Sequence, residues 1–404
     1  LSVVLNARTA ALRPSITLAI GAEAKARKAR GEDIVSFATG EPDFDTPAFI
    51  KSATMEALRQ GFTKYTATAG IPELRRAIAE SVSRGQRLDF RADEVIVSCG
   101  AKQSLCNLFE ATLAPGDEVI IPSPYWVSYP EQVAFAGGIP VFVPCEASRG
   151  FRLDAAALAA AVTPRTRALV LNSPSNPTGA VLTESDLSAI AEVVRRHPQI
   201  LVVSDDIYER LCYGPEPFRN VLSVAPDLRD RTVVVSGFSK SFSMTGWRVG
   251  YAVGPRTLVD AMQRIQDQSS SNTNSFAQRG ALAALSASAE QLAEEVEPIY
   301  RELDRRRRRI LALLGQVHGV KVVEPLGAFY VFPEVREILA RRLGGAPIGS
   351  DRRLCELLLQ RGLVLVPGEA FGAPGHVRFS FTLSMEDLER GMSRFSAFVD
   401  GLEA

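Results

Sequence analysis

Ile200-Leu201-Val202-Val203-Ser204-Asp205-Asp206-Ile207-Tyr208 is a short apolar run that stops abruptly on two acids and a tyrosine. Four apolar residues in a row, bounded by polar ones, fit a strand covered on both faces better than a helix. The same unit recurs at Val95 to Ser98, Val119 to Ile121, Val141 to Val143, Leu169 to Leu171, Val233 to Val235 and Val249 to Val253. Longer amphipathic stretches lie between. Thr183-Glu184-Ser185-Asp186, for example, reads as a cap opening the helical pattern Leu187, Ile190, Ala191, Val194. The alternation predicts an α/β domain on a mostly parallel, seven-stranded sheet covered by helices, with right-handed crossovers.

The pattern changes after Phe276, where one long helix is expected to about Leu314. Its basic run Arg305 to Arg309 is flanked by Glu and Asp, so it reads as a solvated helix face rather than a nucleic-acid surface. From Val320 onward, strands at Ala328 to Phe332, Leu363 to Val366 and Val377 to Phe381 mix with helices at about Asp351 to Arg361 and Met385 to Leu402. This is a second, smaller α/β domain.

Composition narrows the function classes. The 404 residues carry 46 Lys+Arg against 46 Asp+Glu, so no global field favours nucleic acid or an anionic membrane, and any anion affinity has to be local. No apolar run approaches the roughly 20 residues of a membrane span, and Leu1 to Arg13 lacks a signal-peptide core, so a cytoplasmic protein is expected. The chain opens on Leu rather than Met, so residues could precede it. Cys99, Cys106, Cys145, Cys212 and Cys355 show no C-x-x-C spacing and read as reduced thiols. With three histidines in all, metal and histidine-triad chemistry are poorly supplied.

Several strand ends carry chemistry. Asp205 closes one strand, at the edge where open α/β sheets bind ligands. Asn176 lies in the turn Asn172-Ser173-Pro174-Ser175-Asn176-Pro177-Thr178-Gly179 after another. Gly100-Ala101-Lys102 leads from a strand into a helix, whose first N–H groups and dipole suit an anion. Lys240 sits in Ser236-Gly237-Phe238-Ser239-Lys240-Ser241-Phe242, followed by Gly246-Trp247-Arg248-Val249-Gly250-Tyr251. Together these pair a lysine able to form a Schiff base with an arginine able to hold a phosphate.

This set, in this order, resembles the pyridoxal-phosphate (PLP) site of the class I aminotransferases, the aspartate aminotransferase family of fold type I, over nearly the whole chain. The resemblance implies that Lys240 bears the cofactor and shuttles the proton, and that Asp205 meets the ring nitrogen. Asn176 and Tyr208 then bond the ring's phenolic oxygen, and Trp126 stacks on the ring. Gly100, Ala101, Lys102, Ser239 and Arg248 would surround the phosphate; Gly237 stands where the family often has a serine. Tyr65 resembles a tyrosine that reaches the phosphate of a neighbouring subunit, which implies a homodimer with shared active sites. Arg378, in Gly375-His376-Val377-Arg378-Phe379-Ser380, resembles the clamp for the substrate α-carboxylate, with Gly40 beside it. Lys102, Ser15 and Thr17 match residues that receive a distal carboxylate in a bacterial-type branch, which favours aspartate and glutamate, with aromatic substrates as a further class. The family also implies residues 1–45 packing with a small domain at 301–404, around a large domain at 46–300.

The expected activity is therefore transfer of an amino group between an L-amino acid and a 2-oxo acid by a ping-pong cycle. Elimination, cyclisation or oxidation on the same site stays open, because every reaction begun at the same carbon uses Lys240, Asp205 and Arg248. A PLP-binding transcriptional sensor would need a basic winged-helix segment, which these residues do not contain.

Overall fold

The computed structural model describes residues 6–403. Seven strands form the main sheet: β2 (Val95–Ser98), β3 (Glu118–Ser123), β4 (Ile139–Pro144), β5 (Thr166–Asn172), β6 (Leu201–Asp205), β7 (Thr232–Gly237) and β8 (Gly250–Val253), after a short β1 (Val35–Ser36). Their spatial order is β2-β8-β7-β6-β5-β3-β4. The strands from β3 to β7 pair in parallel, whereas β8 is antiparallel to both β7 and β2. The run at Val249 to Val253 thus departs from the expected parallel direction. Its reversal positions the site, because its lead-in, rather than its exit, reaches the edge where the other strands end.

Every residue of β2, β7 and β8 is buried, as a sheet with two covered faces requires. The edge strand β4 differs: Ile139 and Phe142 are each 45% exposed, so its apolar run is not a fully covered one. Thr183 caps the helix Glu184–Arg196 in a capping box with Asp186, as its spacing predicts.

A smaller body packs beside the sheet. Here β9 (Tyr330–Val331), β13 (Val366–Pro367) and β14 (Val377–Ser380) form an antiparallel sheet in the order β13-β14-β9, and β10 (Arg342–Leu343) pairs with β11 (Ala346–Pro347). β12 (Leu363–Val364) pairs in parallel with β1, which joins the two ends of the chain. Phe37, Phe329, Phe379, Phe381 and Phe395 fill its core.

Two expectations for the middle of the chain need correction. The helix expected from Phe276 to Leu314 is interrupted: Ser275–Leu285 ends, and Ser288 caps a new segment that becomes the helix Glu297–Leu314. The basic run is not uniformly solvated either. Arg306 and Arg307 are buried, paired with Asp43 at 2.7 Å and Glu324 at 2.6 Å, with Phe44 and Tyr213 against their guanidinium planes. Five consecutive residues of a helix span more than its full circumference, so such a run cannot face water throughout. No helix among the described residues is long and apolar enough to cross a membrane.

Candidate active site

The C-terminal ends of the parallel strands open into a cavity of about 600 Å³, closed on one side by the smaller body and by the helix Ile16–Ala29. Each strand end delivers one part of its wall. β5 leads to Asn176, β6 ends on Asp205, β7 leads to Lys240, β3 leads to Trp126, and β2 leads through Gly100 to the helix Ala101–Thr112. The reversed β8 is preceded by Arg248, which reaches the same edge. Arg378 arrives from β14 of the smaller body.

Of the residues singled out in the sequence, Ser15, Thr17, Gly40, Ala101, Lys102, Trp126, Asn176, Asp205, Tyr208, Ser239, Lys240, Arg248 and Arg378 all line this cavity. Gly100 lies just behind its wall, with φ +83°, and a Cβ there would meet the Arg248 guanidinium at 2.6 Å. Only glycine lets the chain turn and the arginine lie against it. Tyr65 stands apart, 92% exposed and outside the cavity.

The cavity is cationic although the chain is neutral. Lys25, Lys102, Lys240, Arg248 and Arg378 line it, against Glu41 and Asp205. At one end, Arg248 is exposed and held at φ +55°, a left-handed conformation that costs about 1–2 kcal/mol. Its Nη1 donates to Thr245 O at 2.9 Å and its Nη2 to Cys99 O at 3.3 Å. Beside it begins the helix Ala101–Thr112, whose first two N–H groups, of Ala101 and Lys102, have no intrahelical acceptor. The pairing of helix terminus and guanidinium suits a phosphate.

In the middle, Asp205 is buried and its carboxyl is pushed up to about 6 by desolvation, against hydrogen bonds that hold it down. Tyr129 donates to Oδ2 at 2.6 Å, the Ile207 N–H to Oδ1 at 3.3 Å, and Asn172 Nδ2 to the backbone oxygen at 2.9 Å. A carboxyl so placed accepts a cationic N–H partner, as a protonated ring nitrogen provides. Tyr208 Oη and Tyr330 Oη lie 2.9 Å apart in the same wall.

Lys240 Nζ donates to Gly40 O at 2.6 Å. Burial, helped by Arg248, Arg378 and Lys102 and opposed by Glu41, lowers its ammonium to about 8. Near neutral pH a usable fraction is then the free, nucleophilic amine. Arg378 is buried, its guanidinium 4.6 Å from the Tyr330 ring centroid and 4.9 Å from that of Phe371. Nη1 donates to Asn176 Oδ1 at 2.9 Å and Nη2 to Ala38 O at 2.8 Å, while buried Nε has no partner. A buried donor without an acceptor is costly unless a ligand supplies one. A Cβ on Gly40 would strike Tyr330 Oη at 2.8 Å, so this position too is confined to glycine. Farther out, Lys102 Nζ lies 5.0 Å from the Trp126 ring centroid, and Ser15 Oγ and Thr17 Oγ1 are 3.0 Å apart.

Sequence reasoning missed Tyr129, Tyr330, Thr245 and Lys25 as wall residues and gave Glu41 no part. Tyr129 had a detectable signal, since it lies one helical turn beyond Trp126 at the same strand exit; Tyr330 had none, because the smaller body brings it in.

A phosphate end, a carboxylate for a ring nitrogen, phenols, an aromatic plate and a lysine in one cavity are the groups that PLP requires. The whole-chain comparisons agree with that fit. Residues 32–395 match the family model described as aminotransferase class I and II. The chain is 44% identical over 396 residues to the aspartate aminotransferase of Geobacillus stearothermophilus, covering 98% of this chain and 99% of that one. It is also 44% identical over 399 residues to the aspartate/prephenate aminotransferase of Nitrosomonas europaea, with the same coverage. Among solved structures, the Thermus thermophilus aspartate aminotransferase with maleate superposes with a TM-score of 0.92 at 44% identity, covering 98% of this chain and 100% of that one. The Rhizobium meliloti enzyme superposes with 0.95 at 40% identity, over 100% of both chains. Site geometry and whole-chain similarity thus converge: this chain belongs to the class I and II aminotransferases, as a PLP-dependent enzyme of the aspartate aminotransferase family.

Proposed function

We propose that the enzyme transfers the amino group of an acidic L-amino acid, aspartate first, to a 2-oxo acid in a ping-pong cycle, and that it does so as a homodimer. The observation that carries this reading is the single cavity holding Lys240, Asp205, Arg248 and Arg378 with Lys102 toward its outer side. PLP, when bound, supplies the electron sink that makes the substrate Cα–H acidic.

The remaining work falls to the chain. Arg248, the N–H groups at Ala101 and Lys102, and Ser239 hold the phosphate. Asp205, kept in place by Tyr129, would hold a proton on the ring nitrogen, Tyr208 and Asn176 would bond the ring oxygen, and Trp126 would pack on the ring. Arg378 grips the α-carboxylate through its fork and so orients Cα toward Lys240 Nζ, which removes the proton and returns it. Lys102, Ser15 and Thr17 receive a second carboxylate. The Thermus relative was solved with maleate, a four-carbon dicarboxylate, and several relatives are aspartate/prephenate aminotransferases, which supports dianionic substrates. Tyr65 is 92% exposed in the single chain, which leaves it free to reach a phosphate in a neighbouring subunit. Residues 46–300 form the cofactor-binding domain, and, of the described residues, 6–45 with 301–403 the small one; the β1–β12 pairing supports this division.

Titration with L-aspartate, followed by absorbance and by analysis of the product acid, tests the reading. Loss of the visible band with matching formation of oxaloacetate is expected; a band that persists with aspartate but is lost with neutral donors defeats the acidic preference. Lys102→Ala should lower kcat/KM for aspartate about tenfold and leave alanine unchanged, since it removes one partly exposed charge contact. Equal losses for both donors would remove Lys102 from the specificity role.

Tyr129→Phe removes a hydrogen bond that lowers the Asp205 pKa, so that carboxyl should titrate higher than in the wild type. In the cofactor-free protein the shift is read directly from the pH titration of the Asp205 carboxyl by NMR, and because the ionised form is the one that pairs with a ring nitrogen, PLP retention should fall more in the variant near pH 6 than above pH 8. A uniform loss at all pH values would mean that Tyr129 only packs.

A further inference from the structure

Glu41 is the second acid of the cavity wall and has no part in the roles proposed above. Its position is fixed from two sides. Thr245 Oγ1 donates to Glu41 Oε2 at 2.7 Å, and the Thr245 carbonyl in turn accepts from Arg248 at 2.9 Å. On the other side the preceding residues form a strap: Gly40 O accepts from Lys240, Thr39 O from Thr382 at 3.2 Å, and Ala38 O from Arg378. The carboxylate is therefore oriented by Thr245, while the backbone that carries it is tied to Lys240 and to the smaller body.

The groups facing Lys240 are unequal in sign. Arg248, Arg378 and Lys102 oppose a charge on it, Lys25 adds a fourth cation on the wall, and Tyr208 and Tyr330 contribute neutral phenols. Asp205 is matched to a ring nitrogen. Glu41 is the remaining anion, and after burial it is the strongest influence on Lys240, acting to keep its proton on. It works through space, since Nζ itself is bonded to Gly40 O.

We propose that Glu41 is a positioning residue for the reaction: oriented by Thr245, its carboxylate is the fixed counter-charge that holds the proton on the Lys240 nitrogen and sets the pH at which that nitrogen releases it. The inference rests on the reading of Lys240 as the cofactor-bearing amine. A charge near that nitrogen bears on both halves of the cycle: a proton on the cofactor-bound nitrogen would make the carbon bonded to it the better electrophile for an incoming amine, whereas the free lysine must be neutral to take the proton from Cα.

The test is a pH titration, from pH 5 to 10, of the visible absorption band of the lysine-bound cofactor in the purified holoenzyme. Glu41→Gln should lower the midpoint by about one pH unit, the order of effect expected on losing one charge from the same cavity wall. Glu41→Asp should restore most of the shift, and Thr245→Val, which keeps the carboxylate but frees it, should give a smaller shift in the same direction. Thr245→Val also carries the test on a folded protein if Glu41→Gln does not accumulate, because the backbone bond to Arg248 remains. An unchanged midpoint in Glu41→Gln, or equal shifts in the Gln and Asp variants, overturns the proposal and leaves Glu41 as part of the strap. Absence of any titrating, borohydride-reducible link at Lys240 in the wild type instead overturns the underlying assignment of Lys240.

Discussion

Lys240→Ala is expected to bind PLP yet lose at least about 10⁴-fold in kcat, because the variant lacks both the attacking amine and the base that moves the Cα proton. Phosphate binding should survive, since Arg248 and the helix Ala101–Thr112 are untouched. Borohydride reduction followed by peptide mass analysis separates the cases: the wild type is labelled at Lys240, the variant is not. Loss of the side chain should not unfold the protein. The Lys240 ammonium is lowered from 10.5 to about 8 in the fold, so below pH 8 the folded state carries a penalty that fades as pH rises from about 8 to 10.5. Removing the lysine lifts that penalty, of at most about 3 kcal/mol at pH 7. The cofactor-free variant should therefore melt at the same temperature as the wild type or higher. A variant with near-normal turnover would refute the assignment.

Arg378→Ala should lower kcat/KM for amino acids about 10²- to 10⁴-fold, mainly through KM. It deletes a buried charged fork and leaves Asn176 Oδ1 and Ala38 O without their donors. Arg378→Lys should recover little, because an ammonium cannot make two parallel bonds or fill the slot between Tyr330 and Phe371. A simple amine that lacks the carboxylate distinguishes clamping from general damage. Its slow reaction should be nearly unaffected in Arg378→Ala; an equal loss with amine and amino acid would show that the arginine only supports the smaller body.

Much of this site was legible because its residues sit at strand exits. Apolar runs announce buried strands, and an open α/β sheet binds at their C-terminal ends, so Asp205, Asn176 and Lys240 could be found by walking off the end of each run. Helix capping was legible for the same local reason, as Thr183 and Asp186 show. The errors occurred where neighbours in space, not in sequence, decide. The direction of β8 depends on what pairs with it, and an antiparallel strand reads like a parallel one. Arg306 and Arg307 look like solvated helix residues until Asp43 and Glu324 arrive from distant segments. The break at Ser286 was hidden because Ser288, Glu290 and Gln291 suit a new helix start as well as a continuing polar face.

The sequence by itself determined the layered α/β architecture, the order of the strand-end motifs and the pairing of a lysine with a phosphate-binding arginine. The first two follow from hydrophobic period and local turn chemistry, which operate over a few residues; the third follows from the resemblance of its motifs to those of the family. Only the tertiary structure decided that Tyr129 supports Asp205, that Tyr330 packs against both Arg378 and Gly40, and that Glu41 and Lys240, with 198 residues between them in the chain, line one cavity. Burial and charge at the site are sums over residues brought together by packing. No local pattern records that sum.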